Sequence, residues 1–389
     1  MDNFTFTNPT KIIFGRGTEN KVGKEAAAYS NKVLLHYGSG SIKASGLYDR
    51  VTASLREASV EIVELPGVKA NPSLSLVQEG IRICHEQNIP FILAVGGGSV
   101  IDSAKGIAAG VMYGGDVWDL YTDKARVKSA LPVGTVLTIP AAGSEASTGT
   151  VITKEEGMLK RAFNSTHVIP RFSILNPELA FTLPPYQAAC GAVDIMSHLL
   201  ERYFTNTRHV ELADRLIEGA LVTIIHNAPV VIEQPQNYNA WAEIMWTGTV
   251  AHNNLLDTGR KGDWATHLIE HEISGIYDIA HGAGLAMMFP AWMRYVYKHD
   301  LNRFVQLAVR VWNVEQDHFD PEPTALAGIE KLETFWNSLG LPTRIRAAGL
   351  DNSSFEEMAA KCTADNKNTV GNFVKLNKED VIKIYNLAY

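Results

Sequence analysis

Apolar and polar positions along this chain fall into two regimes. Up to about residue 140, short apolar runs alternate with stretches whose apolar residues recur every three to four positions. The runs are 11–14 (KIIF), 32–37 (KVLLHY), 60–65 (VEIVEL), 90–95 (PFILAV) and 133–139 (VGTVLTI). Apolar runs of this length, bounded by Gly, Pro or Ser, predict strands, and nearly uniform ones predict strands buried on both faces. Between them, 44–59 spaces Leu47, Val51 and Leu55 by four, and 44–59, 73–87 and 100–111 are all predicted as helices. Strands alternating with helices of this length predict a parallel sheet covered on both sides.

Residues 150–176 break that rhythm. Extended pieces at 151–153 and 162–173 suggest a hairpin near a sheet edge, and Asn176-Pro177 and Leu183-Pro184-Pro185 act as punctuation. Beyond Pro185 the helical period dominates, in 186–204, 209–228, 238–254, 263–274, 281–299, 301–313 and 323–339. The expected architecture is an α/β N-terminal domain with a parallel sheet over 1–184 and an all-α C-terminal domain over 185–389.

Composition narrows the classes. The 389 residues suffice for two domains of ordinary size, 46% of them hydrophobic and 20% charged. A formal charge of −7, with a pI near 6.0 and no basic stripe, argues against nucleic acid or an anionic membrane surface as partner. The polar start MDNFTFTNPTKIIFG has no signal-peptide core, and no run of 18 apolar residues occurs, so no membrane-spanning helix is expected. Cys84, Cys190 and Cys362 are scattered and form no CxxC pair, as in a reduced, cytoplasmic protein.

Two strand ends carry glycine-rich turns, Gly38-Ser39-Gly40-Ser41 and Gly96-Gly97-Gly98-Ser99. Glycines let backbone N–H groups approach phosphate, and a following helix N-terminus favours an anion. Neither turn is a G-x-G-x-x-G or a Walker loop, yet two of them on one sheet predict a dinucleotide site at the strand ends. A third small-residue stretch, 138–145 (TIPAAGSE), follows the fifth run and could form a wall of that site.

The second half carries ligand-type residues at helical spacing. Asp194 and His198 stand four apart, as do His267 and His271, and His281 opens a further segment. Residues four apart share a helix face, so one carboxylate with two or three imidazoles could gather a divalent cation. A rival pattern uses the same letters. His267-x-x-Glu270-His271 fits H-x-x-E-H of some metalloproteases, with Glu270 essential in a metal hydrolase but not in a dehydrogenase.

The stretches AVGGGSVIDSAKG, TIPAAGSEAS, NPELAFTLP, GAVDIMSHLLERYF and DWATHLIEHE with AHGAGLAMMFPAWMRY together resemble the iron-containing (group III) alcohol dehydrogenases. The likeness is to the NADPH-dependent butanol dehydrogenases and broad aldehyde reductases among them. It implies a dehydroquinate synthase-like fold, with the active site in the cleft between a dinucleotide-binding domain and an all-helical metal-binding domain. It implies Asp194, His198, His267 and His281 as metal ligands, with Fe²⁺ as the ion and Zn²⁺ as the alternative. His271 matches the family's further histidine near the metal, usually not a ligand, and Asp102 is expected near the chemistry; lying one helical turn beyond His267, His271 could relay protons. Gly97, Gly98, Ser99, Asp102, Thr138, Ser147, Lys160, Leu179 and Thr182 are implied to line the cofactor. The loop 141–145 (AAGSE) is shorter than the family's usual T-T-A-G-T-G-S-E. The implied activity is hydride transfer between a nicotinamide cofactor and a small alcohol or aldehyde, in a homodimer. A glycerol- or lactaldehyde-type enzyme is the neighbouring alternative.

For the cofactor, NADP(H) is expected. NAD-selective sites place an acid at the end of the second strand to bind the ribose 2′-hydroxyl, and that acid repels a 2′-phosphate. Here Gly38, Ser39, Gly40 and Ser41 occupy the position, Lys43 adds positive charge, and no acid follows until Asp49.

Overall fold

The apolar runs of the first half line up in one parallel sheet in the computed structural model, which describes all 389 residues. In chain order the strands are β1 (Lys11–Phe14), β2 (Lys32–Gly38), β3 (Glu61–Val68), β4 (Ile92–Gly96), β5 (Val133–Leu137), β6 (Gly149–Lys154), β7 (Leu159–Asn164) and β8 (Phe172–Leu175). Six of them form the sheet in the order β1-β8-β5-β4-β2-β3, all neighbours parallel, while β6 and β7 pair antiparallel on their own. The helices are α1 (Val22–Ala27), α2 (Ser41–Ala44), α3 (Leu47–Glu57), α4 (Leu74–Glu86), α5 (Gly98–Tyr113), α6 (Trp118–Tyr121), α7 (Pro185–Tyr203), α8 (Glu211–Glu233), α9 (Tyr238–His252), α10 (Ala265–Tyr277), α11 (His281–Val296), α12 (Leu301–Trp312), α13 (Pro321–Ser338), α14 (Phe355–Cys362) and α15 (Lys378–Ala388).

The period of two in β4 divides the sheet's two cores. Ile92 and Ala94 pack with Val77 of α4 and Ile101, Ala104 and Ile107 of α5. Leu93 and Val95 face the other way, with Val22 and Ala26 of α1 and Val51 and Leu55 of α3. Successive side chains of a strand point to opposite faces, so β4, covered on both sides, is apolar along its length.

Three sequence expectations change. The single helix over 44–59 is broken at Gly46, whose φ of 70° places it in the left-handed region, and α2 and α3 result. The extended stretch 162–173 is two elements: β7 closes the hairpin, and β8 enters the main sheet between β1 and β5. The boundary near residue 184 also does not divide the chain into two contiguous halves. Contacts group Thr7–Leu183 with Pro235–Asn253 in an α/β unit, and Met1–Phe6, Pro184–Gln234 and Asn254–Tyr389 in a helical unit. The α9 segment belongs to the first because Thr249 Oγ1 donates to the buried Glu145 carboxylate at 2.6 Å. Met245 joins the core around Ile152, and Trp246 meets Phe14 edge-on. The N-terminal residues belong to the second, where the Asp2 N–H donates to the Gly259 carbonyl.

In the helical unit, α8 is long and apolar enough by length and composition to cross a membrane, with a mean hydropathy of 1.4. It packs on α7 and α12 and carries two buried acids. Asp214 pairs with Arg260 and Arg303, and Glu218 with Arg310. Those pairs mark α8 as a helix that helps to build a packed core.

Candidate metal centre and cofactor loops

Helix α7 presents Asp194 and His198 from one face, as residues four apart must be, with His198 Nδ1 3.4 Å from Asp194 Oδ1. Helix α10 brings His267 and α11 opens at His281. The Nε2 atoms of both stand 3.9 Å from that same Asp194 oxygen. The His198 ring lies 4.7 Å from that of His267, which lies 5.2 Å from that of His281. Asp194, His198 and His267 are buried, His281 is a quarter exposed, and the buried Nε2 of His267 makes no hydrogen bond. The structure therefore brings all four predicted ligands together. Ligand atoms of Asp194, His267 and His281 lie within 4.8 Å of one another. Three imidazoles and a carboxylate, with no thiolate, fit Fe²⁺, Zn²⁺ or Mn²⁺. His271 follows His267 by one turn, is buried, and has its ring 5.6 Å from that of His281.

Two carboxylates stand behind the imidazoles; Glu201 escaped the sequence reading, and Glu270 entered it only through the rival H-x-x-E-H pattern. Glu201 on α7 accepts from His267 Nδ1 at 2.8 Å and from the His267 backbone N–H at 3.0 Å. Its second oxygen accepts from the Trp264 N–H at 2.5 Å, which secures a tryptophan held at φ 68°. Glu270 on α10 hydrogen-bonds His281 Nδ1 and accepts from the Ser274 hydroxyl. Glu270, expected to be dispensable to a dehydrogenase and to serve as the base of an H-x-x-E-H hydrolase, is fully buried with its carboxylate on His281 and Ser274. The available signal was spacing: Asp194, His198 and Glu201 fall at i, i+4 and i+7 of one helix.

In the α/β unit, the turn from β4 into α5 passes close to the loop after β5. A Cβ on Gly97 would stand 3.0 Å from Ile139, and one on Gly98 2.9 Å from Ala142. The Thr138 N–H donates to the Gly96 carbonyl, and the Ser99 hydroxyl donates to the Ala70 carbonyl. Asp102 stands one turn into α5. Its carboxylate accepts from Ser144 Oγ at 2.5 Å and from the Val151 N–H at 2.9 Å, and burial pushes its pKa up. Both oxygens of Asp102, expected near the chemistry, are engaged inside the unit, by Ser144 and Val151. Lys105, fully buried, donates to the Ser147 and Gly149 carbonyls, and burial lowers its pKa to about 8. Ser147 and Lys160 are themselves buried, and Lys160 exerts its charge on Asp102. Gly97, Gly98, Ser99, Asp102, Thr138, Ser147 and Lys160 thus gather around the ends of β4 and β5. Leu179 packs with the core on the sheet's other face, and Thr182 is exposed in a turn.

At the end of β2, Ser39 and Ser41 are exposed. Lys43 Nζ lies over the Tyr48 ring at 4.8 Å and the Tyr37 ring at 5.4 Å. Both tyrosine hydroxyls donate to Glu64 of β3, at 2.5 and 2.6 Å, and hold its carboxyl below the usual range. The sequence reading found no acid near this turn before Asp49; the neighbouring strand supplies Glu64.

A doubly covered parallel sheet with glycine turns at its strand ends, together with a helical unit bearing an Asp–His₃ cluster, defines a class of dehydrogenase. The comparisons agree. The family described as iron-containing alcohol dehydrogenase matches residues 9–177, and the Fe-containing alcohol dehydrogenase C-terminal family matches 188–389. The chain belongs to the iron-containing alcohol dehydrogenase family and is an oxidoreductase. It is 48% identical over 384 residues, 99% of each chain, to a probable NADH-dependent butanol dehydrogenase 1 of Bacillus subtilis. It is 36% identical, over the whole of both chains, to the NADPH-dependent aldehyde reductase YqhD of Escherichia coli. The crystal structure of NADH-dependent butanol dehydrogenase A from Thermotoga maritima superposes with a TM-score of 0.95 at 41% identity, covering 100% of this chain and 99% of that one.

Proposed function

We propose that this protein is a metal-dependent alcohol dehydrogenase and aldehyde reductase. It transfers hydride between NADP(H) and a small primary alcohol or aldehyde of the butanol and butanal type. The observation that supports it best is the pair of imidazole Nε2 atoms, from His267 and His281, each 3.9 Å from one Asp194 oxygen. Asp194, His198, His267 and His281 would hold Fe²⁺, with Zn²⁺ as the alternative; when bound, the cation acts as a Lewis acid toward the substrate oxygen. His271 carries the proton between that oxygen and solvent, as an imidazole beside the site can. Asp102 fixes the first turn of α5 against Ser144 and Val151, where the helix's N–H groups favour the cofactor's pyrophosphate. Gly97, Gly98, Ser99, Thr138, Ser147 and Lys160 shape that site, with Leu179 and Thr182 in outlying contact. The protein works in the cytoplasm as a homodimer on small molecules alone.

NADP(H) is favoured by a β2 turn whose own residues, 38–41, include no acid. A second reading, NAD(H), is favoured by Glu64 beside Tyr37 and by the B. subtilis and T. maritima relatives, both named NADH-dependent.

The test is oxidation of NADPH by butanal, followed at 340 nm with Fe²⁺-loaded protein, together with metal analysis. His267→Ala should lose bound metal and at least about a hundredfold in turnover. His271→Ala should keep its metal and lose turnover by about 10²-fold, within the usual range for a proton-transfer group. Wild-type protein that binds the ion and consumes no cofactor would refute the reading.

A further inference from the structure

We infer that Glu201 and Glu270 are positioning residues of the metal centre, each holding one imidazole by its Nδ1 so that the Nε2 lone pair faces the ion. The inference rests on the metal reading above and adds to it residues that set the affinity.

A carboxylate only accepts hydrogen bonds when ionised, so an imidazole bonded to it through Nδ1 carries its proton there. The opposite nitrogen is then the ligand atom, as in carboxylate–histidine–metal arrangements. Both halves of this geometry are present twice. His267 bonds Glu201 through Nδ1, and its Nε2 points toward Asp194. His281 bonds Glu270 through Nδ1, and its Nε2 points to the same oxygen. The two glutamates come from different helices and are both fully buried. Burying a carboxylate is costly unless it is compensated, and with Asp194 these two give the cluster a negative charge that a divalent cation offsets.

The sequence also clears space for one of them. A Cβ on Gly284 would lie 2.3 Å from Glu270 Oε1 and 2.7 Å from its Cγ. Gly284, on the first turn of α11, leaves the carboxylate room to reach His281. Glu201 has a second task, since it also binds the Trp264 and His267 N–H groups at the start of α10. Glu270 bonds the Ser274 hydroxyl of its own helix as well as His281 and serves as the probe.

The experiment titrates Co²⁺ into chelator-stripped protein and reads affinity and the visible absorption band, with no turnover required. Glu270→Ala and Gly284→Ala should bind Co²⁺ about 10- to 100-fold more weakly, with a shifted band. Glu270→Gln, whose side-chain oxygen still accepts from Nδ1, should stay within about threefold of wild type, as expected of a neutral acceptor in the same place. Wild-type affinity and spectrum in Glu270→Ala, or a Gln variant no better than the Ala one, would overturn the inference. Should Glu270→Ala fail to fold, Gly284→Ala decides by the same criterion. Wild-type protein that does not bind Co²⁺ would overturn the metal reading itself, a different result from equal binding by all variants.

Discussion

In the NADP(H) reading, the choice of cofactor falls on one exposed side chain, that of Ser39. The turn residues 38–41 carry no negative charge, and Lys43 stands over Tyr37 and Tyr48. The kcat/KM for NADPH with butanal should exceed that for NADH by at least about tenfold, or about 1.4 kcal/mol of transition-state binding. Ser39→Asp should erase or reverse that ratio; equal use of both cofactors by the parent would instead favour the Glu64-based reading. A second residue acts through stability. His36 is fully buried on β2, with Nδ1 donating to the Leu65 carbonyl at 2.8 Å and Nε2 accepting from Ser103 Oγ at 2.8 Å. Both contacts are met by the neutral ring, and burial lowers its pKa to about 4. The sign follows from linkage. The unfolded chain takes up the proton as pH falls below about 6.5 while the folded chain does not, so stability is complete above that pH and is lost on the way to pH 4. At roughly 1.4 kcal/mol per pH unit, the loss reaches about 3 kcal/mol. His36→Gln can replace both hydrogen bonds without titrating. Urea unfolding at pH 7 and pH 4.5 should show the wild type losing about 2–3 kcal/mol relative to the variant. Parallel pH dependence in the two proteins would contradict this.

Among the elements, α7, α10 and α11 bring together the Asp194–His198–His267–His281 cluster, and their packing is tight where they carry it. A Cβ on Gly282, next to His281, would lie 2.1 Å from the Cys190 carbonyl oxygen on α7. Gly282→Ala must therefore push α11 away from α7. Thermal or urea unfolding should report a loss of about 1–3 kcal/mol, as for other overpacked sites. Metal affinity should fall with it, because His281 rides on the displaced turn. An alanine variant that is unchanged on both counts would show that the close approach is not needed. This scale also shows what the sequence could convey. The i, i+4 spacing of Asp194 with His198 revealed half the cluster, because helical period is local. That His267 and His281 approach the same oxygen depends on how α10 and α11 cross α7, which no spacing within either helix encodes. The contacts of Glu201 and Glu270 with ring nitrogens were hidden for a related reason: a glutamate on a helix is ordinarily solvated, and only its burial against a ring nitrogen marks it.

At the scale of the molecule, the parallel sheet and the helical second half were legible because uniform apolar runs and a 3.6-residue period extend over many positions. The four-residue β8 was not, since its place between β1 and β5 is fixed by pairing with strands distant in sequence. The assignment of α9 was hidden in the same way. Its amphipathic period announces a helix, but the partners that claim it, Glu145 and Phe14, lie more than a hundred residues earlier.

The route of the chain through α9 has a consequence for inheritance. A chain that leaves its α/β unit at Leu183, returns for Pro235–Asn253 and leaves again offers no single point at which a gene could be cut into two self-sufficient cassettes. A fragment ending at 183 would lack Thr249 against Glu145 and Met245 in the core. Recombination that swaps the α/β unit for a foreign one has to carry the α9 insert across as well.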